Sequence, residues 1–169
     1  MLSIAEQIQA RTNHFTALLG VRLPVMNAPM TQAAGPAMAA AVCRAGGLGV
    51  LTGDALEPAE LADAIDAVRR LAGDQARFAV NLRVPDLKRP SAEALALQEK
   101  MRHALEDLSA DVGAEPAGLI KLPDFDAQFE VLVQKKVPVV SVTFGGLREE
   151  YDERLKEAGI LWMGTAATL

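Results

Sequence analysis

The spacing of apolar positions along this chain changes repeatedly, and each change predicts an element. Leu2, Ile8, Phe15 and Leu18 fall loosely on one side among Glu6, Gln7, Gln9 and Arg11, which predicts an amphipathic helix over 2–18 that Gly20 ends. The apolar run from Leu23 to Ala28 predicts a first strand. Pro36 then stands at a first helical position, where its missing N–H costs nothing, and a helix of small residues runs to about Ala45. A second strand follows at 48–51. Pro58 opens the next helix in the same way, with Leu61, Ile65, Val68 and Leu71 as its apolar stripe. Arg77 to Leu82 predicts a third strand, and Pro85 and Pro90 mark a long loop. Ser91 is the N-cap of a helix to Leu108, and 109–124 reads as irregular. A short helix from Asp126 to Lys135 precedes a fourth strand, Val137 to Phe144, closed by Gly145-Gly146. A charged helix over 147–158, capped by Gly159, leads into a fifth strand, Ile160 to Gly164.

The order is β-α-β-α-β-α-α-β-α-β, which predicts an α/β fold with a parallel sheet. The fourth strand, VPVVSVTF, is apolar nearly throughout, as a strand covered on both faces requires. Crossovers between parallel strands are right-handed, so helices that all wind one way land on one side of the sheet, as in a barrel. A closed barrel needs eight strands and typically ~250 residues; five predicted strands make a little over half of one. Such an open sheet is expected to leave its second face uncovered and two edges exposed, which predicts a marginal monomer and self-association.

Composition narrows the function classes. With 169 residues, 50% hydrophobic and 23% charged, the chain has the make-up of one soluble globular domain. Its 22 acidic and 17 basic residues give a net charge of −5 without long like-charge runs. That balance argues against nucleic acid and anionic membranes as partners, because either wants a basic patch. Cys43 is the sole cysteine, so no intramolecular disulfide forms, and its place in an alanine-rich helix predicts a small buried hydrophobe. The first residues read as an amphipathic helix instead of a signal sequence, and no apolar run reaches spanning length, so a cytoplasmic location is expected. Gly46, Gly47 and Gly49 precede a strand and do not open a helix, which excludes a dinucleotide loop and predicts close helix–strand packing.

Several segments together identify a family. LLGVRLPVMNAPM (18–30), AMAAAVCRAGGLGVL (37–51), RFAVNL (77–82), VPVVSVTFG (137–145) and KEAGILWMGTAAT (156–168) resemble, in order and spacing, the N-terminal part of the nitronate monooxygenases, also called 2-nitropropane dioxygenases. The resemblance implies a partial TIM barrel over 1–169 with a helical insert at 85–124. It also implies FMN as cofactor, with alkyl nitronates and O2 as substrates and a carbonyl compound and nitrite as products. Ligands of such barrels sit at the C-terminal ends of the strands. Ala28, Pro29 and Met30 end the first strand; by the resemblance their backbone lies against the flavin ring, and otherwise Met30 is a core filler at the barrel mouth. Asn81 interrupts an apolar strand end, where a buried carboxamide needs partners. The resemblance makes it a flavin contact; the alternative is a bond to the following loop. Thr143 holds the same position on the fourth strand and is a weaker candidate, as is Thr165 on the fifth.

The family's active-site histidine belongs to a Gly-Gly-His-containing loop of the second half, and its phosphate grip to later glycine-rich loops; neither motif is in this chain, so no catalytic residue is assigned. His14 and His103 stand on predicted helices away from any strand end. No metal-ligand spacing is present. The remaining expectations are a related flavin barrel of the enoyl-ACP reductase type, which shares the APM-like and AGGLG features, or an inactive, dimerising half-barrel. The first reading expects the chain's second half to lie elsewhere.

Overall fold

The computed structural model describes residues 3–31, 33–85, 91–111 and 122–165. Leu2, Pro90 and most of the stretch expected to be irregular lie outside the described residues. Met1–Val84 with Pro123–Leu169 form one compact unit, and Pro85–Leu122 form a second. The second unit carries α4 (Ala92–Asp111), on which Arg102 pairs with Glu99 and Glu106, one turn away on either side.

The first unit is built on four parallel strands, β1 (Gly49–Thr52), β2 (Phe78–Arg83), β3 (Val139–Thr143) and β4 (Leu161–Gly164), which are neighbours in chain order. That sequential order is the one a barrel requires. These four are the expected strands two to five. The helices are α1 (Ile4–Leu19), α2 (Pro36–Ala45), α3 (Pro58–Ala72), α5 (Phe125–Gln134) and α6 (Glu149–Glu157). Ser3 and Glu6 form a capping box on α1, Gly20 closes it with φ 67°, and prolines open α2 and α3.

The expected first strand is corrected. Residues 23–28 contribute a single parallel bridge, Met26 to Leu48, with the Leu48 N–H donating to the Val25 carbonyl at 2.9 Å. One step further, the Asn27 side chain replaces the peptide: its Nδ2 donates to the Val50 carbonyl and its Oδ1 accepts from the Val50 N–H, both at 2.8 Å. A side-chain amide satisfies the β1 edge there, so the backbone ladder stops.

Strand alternation divides the side chains into two layers. Leu51, Phe78, Val80, Leu82, Val140 and Val142 pack outward against α2, α3, α5 and α6 in the main core. There Phe125, Phe129 and Tyr151 meet edge to face or stacked, with Tyr151 4.7 Å from Phe129 between ring centroids. The inner face was expected to be uncovered, and this too is corrected. Leu48, Val50, Ala79 and Val139 form a second buried cluster with Leu19 of α1, flanked by Phe15 and Val21. The C-terminal end of α1 therefore covers the lower part of the inner face.

Two devices hold this arrangement. First, α2 lies so close to β1 that a Cβ on Gly49 would stand 2.0 Å from the Ala39 carbonyl oxygen, and one on Gly47 2.6 Å from that of Val25. Gly49 thus serves the close helix–strand packing expected, Gly47 makes room for the 23–28 segment, and Gly46 is the left-handed C-cap of α2 at φ 100°. Second, arginines occupy the C-terminal ends of the helices, where carbonyls lack partners. Arg77 donates to Leu19 O at 2.9 Å, Arg22 to Ala45 O at 3.1 Å, Arg44 to Leu71 O at 2.8 Å, and Arg69 to Lys135 O at 2.5 Å. Cys43 is half-buried, donates to the Arg77 carbonyl at 3.3 Å, and has its thiol pushed up by burial.

Two outcomes are expected. Gly49→Ala forces backbone apart and should cost about 3 kcal/mol or more, the upper end for overpacking, whereas Gly146→Ala, with nothing nearby, should leave the urea midpoint close to wild type. Tyr151 is buried and donates to Asp126, and burial first, then that bond, raises its pKa above the usual phenol value. A raised folded pKa means stability is complete below the unfolded value of about 10 and falls as pH rises through the folded one. Alkaline denaturation curves should show this loss for the wild type and a smaller one for Tyr151→Phe.

Candidate functional site

The inner face changes character from one end of the strands to the other. Its lower row, Val50, Ala79, Val139 and Leu161, is apolar throughout. The next row, two residues on in each strand, is Thr52, Asn81, Ser141 and Met163, paired in register across all four strands. Three of these four are polar, and they lie at the C-terminal ends, where parallel α/β sheets place their ligands.

Asn81 and Ser141 are 2% and 6% exposed, and Asn81 Nδ2 donates to Ser141 Oγ at 3.1 Å. The Asn81 side chain therefore bonds across the sheet to β3. The Asn81 main-chain carbonyl, in contrast, accepts from the Gly53 N–H at 2.9 Å, tying the loop after β1 to β2. Among the described residues, the buried side-chain atoms without a hydrogen-bond partner are Thr52 Oγ1 and Asp54 Oδ1. An unpaired buried hydroxyl costs free energy, on the order of 1–3 kcal/mol, so Thr52 marks the row as unfinished.

Residues 28–31 and 33–34 stand beside this row. The Met30 carbonyl accepts from the N–H groups of Ala33 and Ala34 at 3.1 and 2.8 Å, and the Ala34 carbonyl accepts from the Thr52 N–H at 2.9 Å. Ala28 is exposed, Pro29 is half-buried and Met30 is 45% exposed. Thr52 thus lies between Ala34 and Asn81, joining two candidate groups that sequence alone treated separately.

Thr143 sits one row higher, paired with Arg83, and its carbonyl accepts from Val84 N at 3.1 Å. It is partly exposed and the structure gives it no bond to Asn81. Thr165 bridges to Gly145 beyond the end of β4 and is exposed. At the same rim Phe144 is held at φ 68°, a left-handed conformation costly for a bulky residue, with the Arg83 guanidinium 4.6 Å from its ring centroid. Strain of this kind concentrates at functional sites.

Thr52, Ser141, Arg83 and Phe144 were not singled out from sequence. The first two could have been found by counting back from Asn81: each is the polar residue at the same height on its strand. Phe144 carried no signal, because its backbone angle is set by the Gly145 turn.

The opposite end of the sheet carries cavities of different meaning. One of about 200 Å³ is lined by Arg22, Cys43, Arg77 and the glycines 20, 46 and 47. Another of about 260 Å³ is lined by Arg69, Asp74, Arg77 and Lys136. Arg22, Arg69 and Arg77 are committed to helix carbonyls, so these cavities belong to the scaffold. His14 and His103 are exposed on α1 and α4. Among the described residues no group of three His, Cys, Asp or Glu side chains could hold a metal ion, and no helix is long and apolar enough to cross a membrane.

Replacing Asn81 with Leu and Ser141 with Ala, singly and together, tests the row. A double-mutant cycle in urea should give a favourable coupling of about 0.5–1.5 kcal/mol, the net worth of one hydrogen bond.

Comparison with known proteins matches this architecture. A family model described as nitronate monooxygenase matches residues 12–169. A probable nitronate monooxygenase of Staphylococcus aureus (strain JH9) is 31% identical over 159 residues, which cover 93% of this chain and 43% of that protein. The structure of a nitroalkane oxidase from Streptomyces ansochromogenes superposes with a TM-score of 0.76 at 34% identity, covering 92% of this chain and 43% of the other. FabK from Thermotoga maritima superposes with a TM-score of 0.63 at 26% identity, covering 92% and 37%. These neighbours are TIM-barrel-type enzymes, and the chain spans about two fifths of their length.

Proposed function

This chain belongs to the nitronate monooxygenase family, and from that premise we propose that it forms the ring-facing part of an FMN site for the oxidation of small alkyl nitronates in the cytoplasm. The observation that carries the reading is the polar row Thr52-Asn81-Ser141 at the C-terminal strand ends, beside the Met30 turn and above an apolar layer. A planar ring with polar edges and apolar faces suits that combination. The orphaned Thr52 hydroxyl supports the fit, since it is a buried group awaiting a partner.

FMN, when bound, supplies the redox chemistry by which an alkyl nitronate and O2 become a carbonyl compound and nitrite. The chain's own contribution is to bind and orient. Asn81, held by Ser141, offers a fixed carboxamide. Met30 and the backbone of 28–30 offer an exposed apolar and peptide surface at the same height. Arg83 follows Asn81 on the same strand face and brings a positive charge to the rim, which suits an anionic substrate such as a nitronate. That charge, together with the greater likeness to the nitroalkane oxidase, favours nitronate oxidation over enoyl-thioester reduction. Neither histidine stands at this site, so proton transfer and the phosphate grip fall to parts of the barrel that the later strands of longer relatives would provide.

The assignment has a specific consequence. If the residues present face the ring and not the phosphate, the purified chain should bind riboflavin and FMN with comparable affinity in a fluorescence titration. Failure to bind either flavin would remove the cofactor reading, and a strong preference for FMN would move the phosphate grip into this chain. In the flavin-loaded chain, consumption of propionate 3-nitronate should exceed reduction of an enoyl thioester; the reverse result would favour the reductase reading.

A further inference from the structure

We propose that Thr52 is a further binding residue of this site, whose hydroxyl has no partner among the described residues and is satisfied by the bound flavin. The inference rests on the flavin reading above and adds a residue to it.

Three observations carry it. Thr52 Oγ1 is fully buried yet has no hydrogen-bond partner, whereas the neighbouring polar side chains of its row bond to each other. A threonine hydroxyl can rotate to donate or accept, so it usually finds a carbonyl nearby; here it does not. The register then says which way it faces. Thr52 pairs with Asn81 across β1 and β2 and follows Val50 by two residues, so it lies on the inner face with Val50 below it and Asn81 beside it. Finally, its backbone is fixed from both sides. Its N–H donates to the Ala34 carbonyl at 2.9 Å, and the next residue, Gly53, donates to the Asn81 carbonyl at 2.9 Å. The Thr52 backbone is therefore fixed between Ala34 and Asn81, and a rotation about its Cα–Cβ bond is what would turn the buried hydroxyl toward a bound ring.

Asp54 Oδ1 is also unpartnered, but Asp54 lies past the end of β1, where alternation no longer assigns a face. Thr52 is the orphan that the sheet itself aims at the site.

A ligand-satisfied orphan and a structural hydroxyl respond oppositely to removal. Valine keeps the branched shape and drops the hydroxyl, so Thr52→Val should leave the apo chain as stable as wild type or more so, since it removes an unpaired buried group. The same variant should weaken FMN binding roughly five- to tenfold, the effect of one lost hydrogen bond. Thr52→Ser restores the hydroxyl and should recover most of the affinity. Apo melting temperature and FMN titration by fluorescence quenching read the two arms separately. The inference is overturned if Thr52→Val binds FMN as wild type does, or if it lowers the apo melting temperature, which would make the hydroxyl structural. A wild-type chain that takes up no flavin overturns it together with the cofactor reading, while wild-type binding unchanged by the variant overturns it alone.

Discussion

The in-register pairing of four parallel strands is the constraint on which the rest of this molecule depends. Once Val50 faces Ala79, and Ala79 faces Val139, every second residue is committed to the same face at the same height. A strand slipped by a single position would exchange its own core residue (Leu51 on β1, Val80 on β2 or Val140 on β3) with its member of the polar row, and so break core and site together. The main core secures the register from outside, since Phe78, Val80 and Leu82 on one strand must all meet α2, α3 and α5. The glycine contact at Gly49 secures it locally, because β1 can approach α2 only where no Cβ intervenes.

The two ends of the sheet then take different tasks. At the N-terminal ends, arginines close the helix carbonyls and α1 covers the inner face with Leu19, so polar groups there find partners within the protein. At the C-terminal ends, Thr52 is left without a partner and Phe144 is held in a strained conformation. Both cost stability, and both lie at the end where a barrel binds its ligand.

Much of this was legible in the sequence, for identifiable reasons. The helix starts at Pro36 and Pro58 were visible because proline fits a first helical position, and the stop at Gly20 because glycine takes φ 67° without strain. Asn81 was visible because a carboxamide inside FAVNL breaks a pattern. Thr52 and Ser141 were not, because threonine and serine at a strand end are ordinary until register shows that they share a row. The first strand failed because Asn27 reads as a turn residue or a strand residue equally well, and its amide substitutes for a peptide only when Val50 lies opposite. The cover that α1 gives the inner face was hidden for a related reason: the sequence stripe grouped Leu18 with Phe15, whereas the structure exposes Leu18 and buries Leu19, and no local pattern says which face of a sheet a stripe will meet.

That last point bears on what a partial barrel can be. An open sheet with one bare face would expose its inner apolar row, whereas this one buries Val50, Ala79 and Val139 beneath its own N-terminal helix, with Leu161 partly buried beside them. A binding surface needs a rigid floor before it needs a roof, because the groups that orient a ligand must not move when it arrives. Here the floor is the buried inner-face cluster of Leu48, Val50, Ala79, Val139 and Leu19. The residues that face upward from it, Thr52, Asn81 and Ser141, are fixed by the same register that buries their neighbours.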